Sequence, residues 1–389
     1  MNDPQELRPS ADVATQPAAD TITPLAPPLQ DPAEVRFLKY IVLGPQGLRA
    51  GWAALLFMLI IILTMILYGA VGSLFKANPF HQDPGHVTAV STVSSELGTV
   101  LGIIAAMAVL ALIERRRIVS YYLNGPRNLL RFLAGAAGGF VAVSALIGLL
   151  YKSGFLHFGP ATLTTPQIFQ YGAIWGLAFL LVGLSEEGTF RCYFLFTLAR
   201  GMNFWWSGGC VAALCLFAVL NPQSNGAGGV YLMASLGVIP CLLLHLKRSP
   251  SSGFWQAAWF TSTAFGYVHT FNQGESWIGI FSAAAIGFIF CVSIRLTGSA
   301  WFAIGFHGAW DWAQTFFYGT PDSGLLPEGH YLTTTPSGAV LWSGGSAGPE
   351  GSILILPILA LILLVVVLIY GRRRPQLESP SPAAQPQLS

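Results

Sequence analysis

About ten stretches of consecutive apolar residues, each long enough to cross a bilayer as a helix, punctuate this chain and leave little from which a soluble core could be built. In hydrocarbon no water is present to satisfy backbone amides, so a stretch of this length must close its hydrogen bonds within itself, as a helix. The stretches run at roughly 49–75, 93–113, 129–151, 168–199, 204–220, 228–246, 253–270, 276–296, 299–317 and 351–370. Hydrophobic residues make up 53% of the chain and charged ones only 9%, too few to solvate an ordinary globular surface. The expected fold is therefore all-α: a polytopic integral membrane helical bundle of about ten transmembrane helices. The stretch from 168 would be about 48 Å long as a straight helix, more than one crossing needs, so a tilt, a kink or an interfacial portion is expected there.

Charge patterning sets the orientation. With alternate loops on alternate sides, Arg115, Arg116, Arg117, Arg127, Arg131, Arg200, Lys247, Arg248, Arg295 and Arg372 to Arg374 share one side with both termini, while only Lys76 and Lys152 lie opposite. Positive loops face the cytoplasm, which predicts a multi-pass plasma-membrane protein with both ends inside. Residues 1–35 and 372–389, polar and proline-rich, are expected to be disordered tails. Residues 36–167 then form N-terminal transmembrane helices, 168–317 a second membrane domain, 318–350 an extracytoplasmic loop able to cap or gate, and 351–371 the last span. The lipid bilayer is the one partner composition demands. A net charge of +2 gives no reason to expect nucleic acid. Cys192, Cys210, Cys215, Cys241 and Cys291 fall in apolar stretches without CxxC spacing, as small packing residues would.

Against this background the ionisable residues inside spans stand out. Each costs about 2.5 to 3.5 kcal/mol to insert, so each is a functional-site hypothesis by default. Glu186, Glu187 and Arg191 lie in LSEEGTFRCYFL, His269 ends TSTAFGYVHT, and His307 with Asp311 lies in AIGFHGAWDW. Glu187 and Arg191, at i and i+4, can pair and neutralise each other, a role that can be purely structural. That leaves Glu186 about 100° around the helix without a local counter-charge. His307 and Asp311 share one face, and Phe265 can wall the same pocket one turn before His269. A carboxylate there can serve as general base toward water, and imidazoles nearby can bind a metal or stabilise an oxyanion. A lone histidine at a span end is more often a packing residue, so the weight rests on the combination.

EEGTFR (Glu186 to Arg191), FGYVH (Phe265 to His269) and HGAWD (His307 to Asp311) resemble the EExxxR, FxxxH and HxxxN/D motifs of the CPBP family, the type II CAAX prenyl proteases and the bacteriocin-processing or immunity (Abi) proteins. The resemblance covers roughly 168–317, and SGGSAGPEGS beyond it also looks like bacterial members. It implies a bacterial intramembrane endopeptidase acting on a peptide, a membrane-protein segment or a CAAX-like tail. Glu186 would activate water, Arg191 would organise Glu187, and His269, His307 and Asp311 would complete the site. Two mechanisms stay open. His269, His307 and Glu186 can furnish three zinc ligands and an open position, as in a metalloprotease, with Glu187 or Asp311 then supplying the base; or glutamate-activated water can act without metal. One departure from the family pattern is a pair of spans near 204–246 that looks inserted between the first two motifs. Competing readings are a non-catalytic membrane scaffold or immunity protein, and a proton-coupled transporter using Glu186 and Asp311.

Overall fold

A computed structural model describes residues 32–44, 47–75, 86–221, 226–272, 274–322 and 326–371. The expected C-terminal tail lies outside the described residues, as does the N-terminal one up to residue 31. Helix α1 (Ala33–Val42) begins inside that expected tail, and as a unit by itself it exposes Phe37, Leu38 and Tyr40.

All ten apolar stretches are helical among the described residues. Helices α2 (Ala50–Leu74), α3 (Ala89–Ile113) and α4 (Asn128–Lys152) come first, then α5 (Thr165–Glu187), which runs through a π-helical segment (Gly188–Phe194) into α6 (Leu195–Leu198). Helices α7 (Phe204–Leu220), α8 (Gly228–Leu246), α9 (Ser252–His269), α10 (Trp277–Thr297) and α11 (Trp301–Trp312) follow. A short α12 (Val340–Ser343) precedes α13 (Ile355–Tyr370). The protein is an all-α polytopic membrane bundle. Six helical segments among the described residues are long and apolar enough to cross a membrane, namely α2, α3, α4, the compound α5–α6, α8 and α10. Helices α7 and α13 are apolar but shorter. The remaining two, α9 and α11, give up hydropathy to polar residues that the bundle buries, including Gln256, Thr261, Thr263 and Asp311.

Position in the bundle follows composition. Only 6% of the apolar window of α2 is buried against 72% for α10, so α2 turns most of its surface to lipid and α10 threads the centre. Helix α11 sits between α4 and α5, and glycines allow the approach. A side chain at Gly135 or Gly139 of α4 would strike the α11 backbone at Phe302 or Phe306. Because Gly183 similarly opposes Ile304 and Gly172 opposes Phe316, α5 runs antiparallel to α11 while α4 runs parallel to it. The basic residues from Arg115 to Arg131, with Arg200, Lys247, Arg248 and Arg295, gather at the helix ends of one side.

The opposite side is closed by the 318–354 segment. Its strand Thr333–Pro336 pairs antiparallel with Leu156–Gly159, and Leu326–Pro327 pairs with His86–Val87. Trp175 Nε1 donates to the Glu328 carbonyl at 3.1 Å, and Trp342 stacks on Phe155 at 5.8 Å. A stretch rich in glycine and threonine is thereby held across the ends of α3, α4 and α5.

Candidate active site

The first motif meets the third because α5 and α11 approach backbone to backbone. A Cβ on Gly183 would press on the Ile304 carbonyl, and one on Gly308 would press on the Phe179 carbonyl. These glycines flank Glu186, Glu187 and His307, so the contact that needs them also sets the carboxylates against the imidazole. Both helices widen into π turns beside the site, at Gly188–Phe194 just after the glutamates and at Ala313–Phe317 just after Asp311. Such insertions recur at functional sites because they rotate side chains out of the regular helical register.

His307 is the hub. Its Nδ1 lies 2.8 Å from Glu187 Oε1, and its Nε2 lies 3.6 Å from Glu186 Oε2 and 3.4 Å from Asp311 Oδ2. Glu187 and Arg191 are fully buried and paired at 3.2 Å through Nε, an ion-pair contact whose alignment falls short of a hydrogen bond. The guanidinium carbon rests 4.0 Å over the Phe265 ring. Cation–π attraction offsets part of the cost of burying a charge whose two outer nitrogens have no hydrogen-bond acceptor among the described residues. Gly287 on α10 makes the room, since a Cβ there would collide with Nη2. Arg191 therefore fixes Glu187, and Glu187 fixes His307. Glu186 is different: its side chain keeps 35% exposure, and its Oε2 lies 3.6 Å from His307 Nε2.

His269 reaches the same space from α9. Its Nδ1 lies 2.7 Å from the Phe265 carbonyl, one turn back, and its ring meets the Phe265 ring edge-on at 4.7 Å. A carbonyl only accepts, so Nδ1 carries the proton and Nε2 remains for whatever enters. Glu186, His269, His307 and Asp311 line one cavity of about 220 Å³. Glu187 and Arg191 stand behind it as support. All six residues singled out in the sequence thus belong to one assembly, the pair Glu187 and Arg191 in the supporting position.

Three further carboxylates line the cavity that the sequence did not flag: Glu96, Asp322 and Glu350. Glu96 Oε2 accepts from Ser185 Oγ at 2.6 Å. The signal for it was present, because α3 begins at Ala89 rather than 93 and carries Glu96 well inside the span. Asp322 accepts from Thr315 Oγ1 at 2.9 Å, and Glu350 from Trp310 Nε1 at 2.6 Å. Both come from the 318–354 segment, where an acidic residue is unremarkable in sequence and only the chain path brings it inward. Burial pushes the Glu350 carboxyl well above its ordinary value, with Asp322, Asp311 and Glu275 adding to the effect; burial likewise raises Asp322.

A metal would need three or more ligands converging on one point. Among the described residues no group of His, Cys, Asp and Glu side chains does so. His307 Nδ1 is held by Glu187 and His269 Nδ1 by the Phe265 carbonyl, which leaves the Nε2 of each for other partners.

No curated protein and no solved structure matches the chain. Residues 241–313, from the second half of α8 to the start of the second π turn, match the family described as Type II CAAX prenyl endopeptidase Rce1-like. That stretch holds His269, His307 and Asp311; the glutamate motif lies before it. The resemblance drawn from the three motifs is borne out, and through residues 241–313 this chain is similar to the type II CAAX prenyl endopeptidases of the Rce1-like family.

Proposed function

We propose that the chain is an intramembrane endopeptidase of the CPBP type, in which Glu186 activates a water molecule that hydrolyses a peptide bond. One observation carries the reading: a partly exposed carboxylate, two imidazoles and Asp311 face one cavity, while the counter-charge Arg191 is withheld behind Glu187. Glu186 takes a proton from water, and the hydroxide adds to the carbonyl carbon of the substrate. Charge builds on the carbonyl oxygen, beside the imidazole of His269. The C–N bond then breaks as the proton held by Glu186 passes to the departing nitrogen. His307, oriented by Glu187, and Asp311 hold Glu186 and its water in line. No step in this sequence calls on a metal.

The basic helix ends would face the cytoplasm and the 318–354 segment the outside of a plasma membrane. Peptides or membrane-protein segments then reach the cavity from within the bilayer or from the outer face. Helices α7 and α8 read as a pair added between the glutamate and FxxxH motifs.

The test is hydrolysis of a peptide library by the purified full chain in vesicles, with and without a chelator. Turnover that survives chelation and disappears in Glu186→Gln, at unchanged thermal stability, is the expected result. Full activity in Glu186→Gln, or no hydrolysis alongside pH-driven solute flux, would replace this reading with a scaffold or a transporter.

A further inference from the structure

The cavity is one-sided in charge. Glu96 from α3, Glu186 from α5, Asp311 from α11, and Asp322 and Glu350 from the closing segment all line it, and among the described residues no lysine or arginine does. Arg191, the nearest cation, cannot turn inward. Its guanidinium is fully buried between Glu187 and the Phe265 ring, against Gly287. Among the described residues, the groups lining the cavity that can carry positive charge are His269 and His307, and His307 already faces three carboxylates. Glu186 Oε2 is shielded from solvent and has no hydrogen-bond donor among the described residues, so an acceptor stands ready for one.

A substrate segment bringing a carboxylate here would find no cation to meet it and several like charges around it. A segment bringing an ammonium or guanidinium would find acceptors on several sides.

We propose that this site selects peptides carrying a lysine or arginine close to the scissile bond, and disfavours those whose scissile bond lies next to a free C-terminal carboxylate or an acidic side chain. The proposal rests on the hydrolytic reading of the site and gives its substrate class. It also separates the chain from what the description of its matched family would suggest, since a CAAX tail ends in a carboxylate.

The experiment uses the full chain in vesicles of zwitterionic lipid, which attract no peptide by surface charge. Fluorogenic peptides share one apolar sequence and differ at a single position beside the scissile bond, as Lys, Gln or Glu, each with a free or an amidated C-terminus. The expected order of kcat/KM is Lys over Gln over Glu, with at least about tenfold between the extremes and amidated peptides cleaved no slower than free acids. Binding of the same peptides to the Glu186→Gln variant, read by fluorescence anisotropy, should follow that order. In the Glu350→Gln/Asp322→Asn double variant the Lys to Glu ratio should shrink toward one. Cleavage that favours the free acid, or treats Glu and Lys alike, overturns the selection and leaves the peptidase reading standing. Failure of the wild type to cleave any peptide, with binding in no preferred order, overturns both.

Discussion

Two glutamates in this bundle are buried against arginine, and they do opposite things. At the basic end Glu114, which follows α3, pairs with Arg116 at 2.7 Å and Arg200 at 2.8 Å, and both guanidiniums lie over the Phe196 ring at 5.1 and 5.5 Å. Each carboxylate oxygen there has its own cation, and the surplus is positive at a membrane end where positive charge is well tolerated. In the centre Glu187 shares itself between Arg191 and His307, and every additional charge nearby is another carboxylate. The first cluster is complete and ties α3 to α6. The second is left short of cations, so a carboxylate, Glu186, faces the cavity with its proton-accepting capacity unused. Pairing glutamate with arginine is thus not itself the functional signal; leaving a neighbouring glutamate without one is.

The largest effect should separate the two clusters outright. Replacing Glu186 with Gln should lower hydrolysis by about 10²- to 10⁴-fold, the range for loss of a general base, without moving the melting temperature. Glu114→Gln should do the reverse, lowering the melting temperature while leaving kcat intact at a permissive temperature. Comparable losses of activity in both would erase the distinction. Next in size, Arg191→Met strands Glu187 in the interior and should cost about 3 to 5 kcal/mol in denaturant unfolding. Arg200→Met leaves Glu114 still paired with Arg116, and should cost less than Arg191→Met.

Much of this was legible beforehand because a bilayer leaves the backbone few options. The apolar stretches coincide with helices to within a few residues, and the long one beginning near 168 resolves into α5, a π turn and α6, a local widening where a tilt or kink was expected. The ion pair of Glu187 with Arg191 and the shared face of His307 and Asp311 followed from helical spacing alone. What spacing could not supply was the third dimension. Glu186, left without a counter-charge by its own helix, is met by His307 only because Gly183 and Gly308 let α5 and α11 touch. Glu350 sits beside Trp310 because the closing segment folds back over the bundle, a path fixed by strand pairing that no residue of the segment announces.

The glycine contact itself offers a finer cut. Gly183→Ala or Gly308→Ala should displace α5 from α11 by a fraction of an ångström to an ångström, enough to reduce turnover by up to about 10²-fold. Gly148→Ala, which meets nothing within 4 Å on α4, is the control and should behave as wild type. If all three variants behave alike, the approach of the two helices is packing alone and the carboxylate is held by something else.

The smallest effect concerns the surplus of carboxylates directly. Glu350 has its carboxyl raised by burial first and by Asp322, Asp311 and Glu275 next, from an ordinary value of 4.5. A raised acid contributes stability in its protonated form. That contribution is complete below about 4.5, where folded and unfolded chains both hold the proton, and it is lost as the pH climbs toward the raised value. Asp322 acts in the same direction from 3.8. Wild type should therefore lose stability as the pH is raised above 4.5, and Glu350→Gln, which keeps an acceptor for Trp310 Nε1 but cannot ionise, should flatten that slope. Thermal unfolding of the two proteins across the pH range reads it; parallel profiles would mean that Glu350 is ionised and compensated like Glu114, and the contrast between the two ends of the molecule would narrow to Glu186 alone.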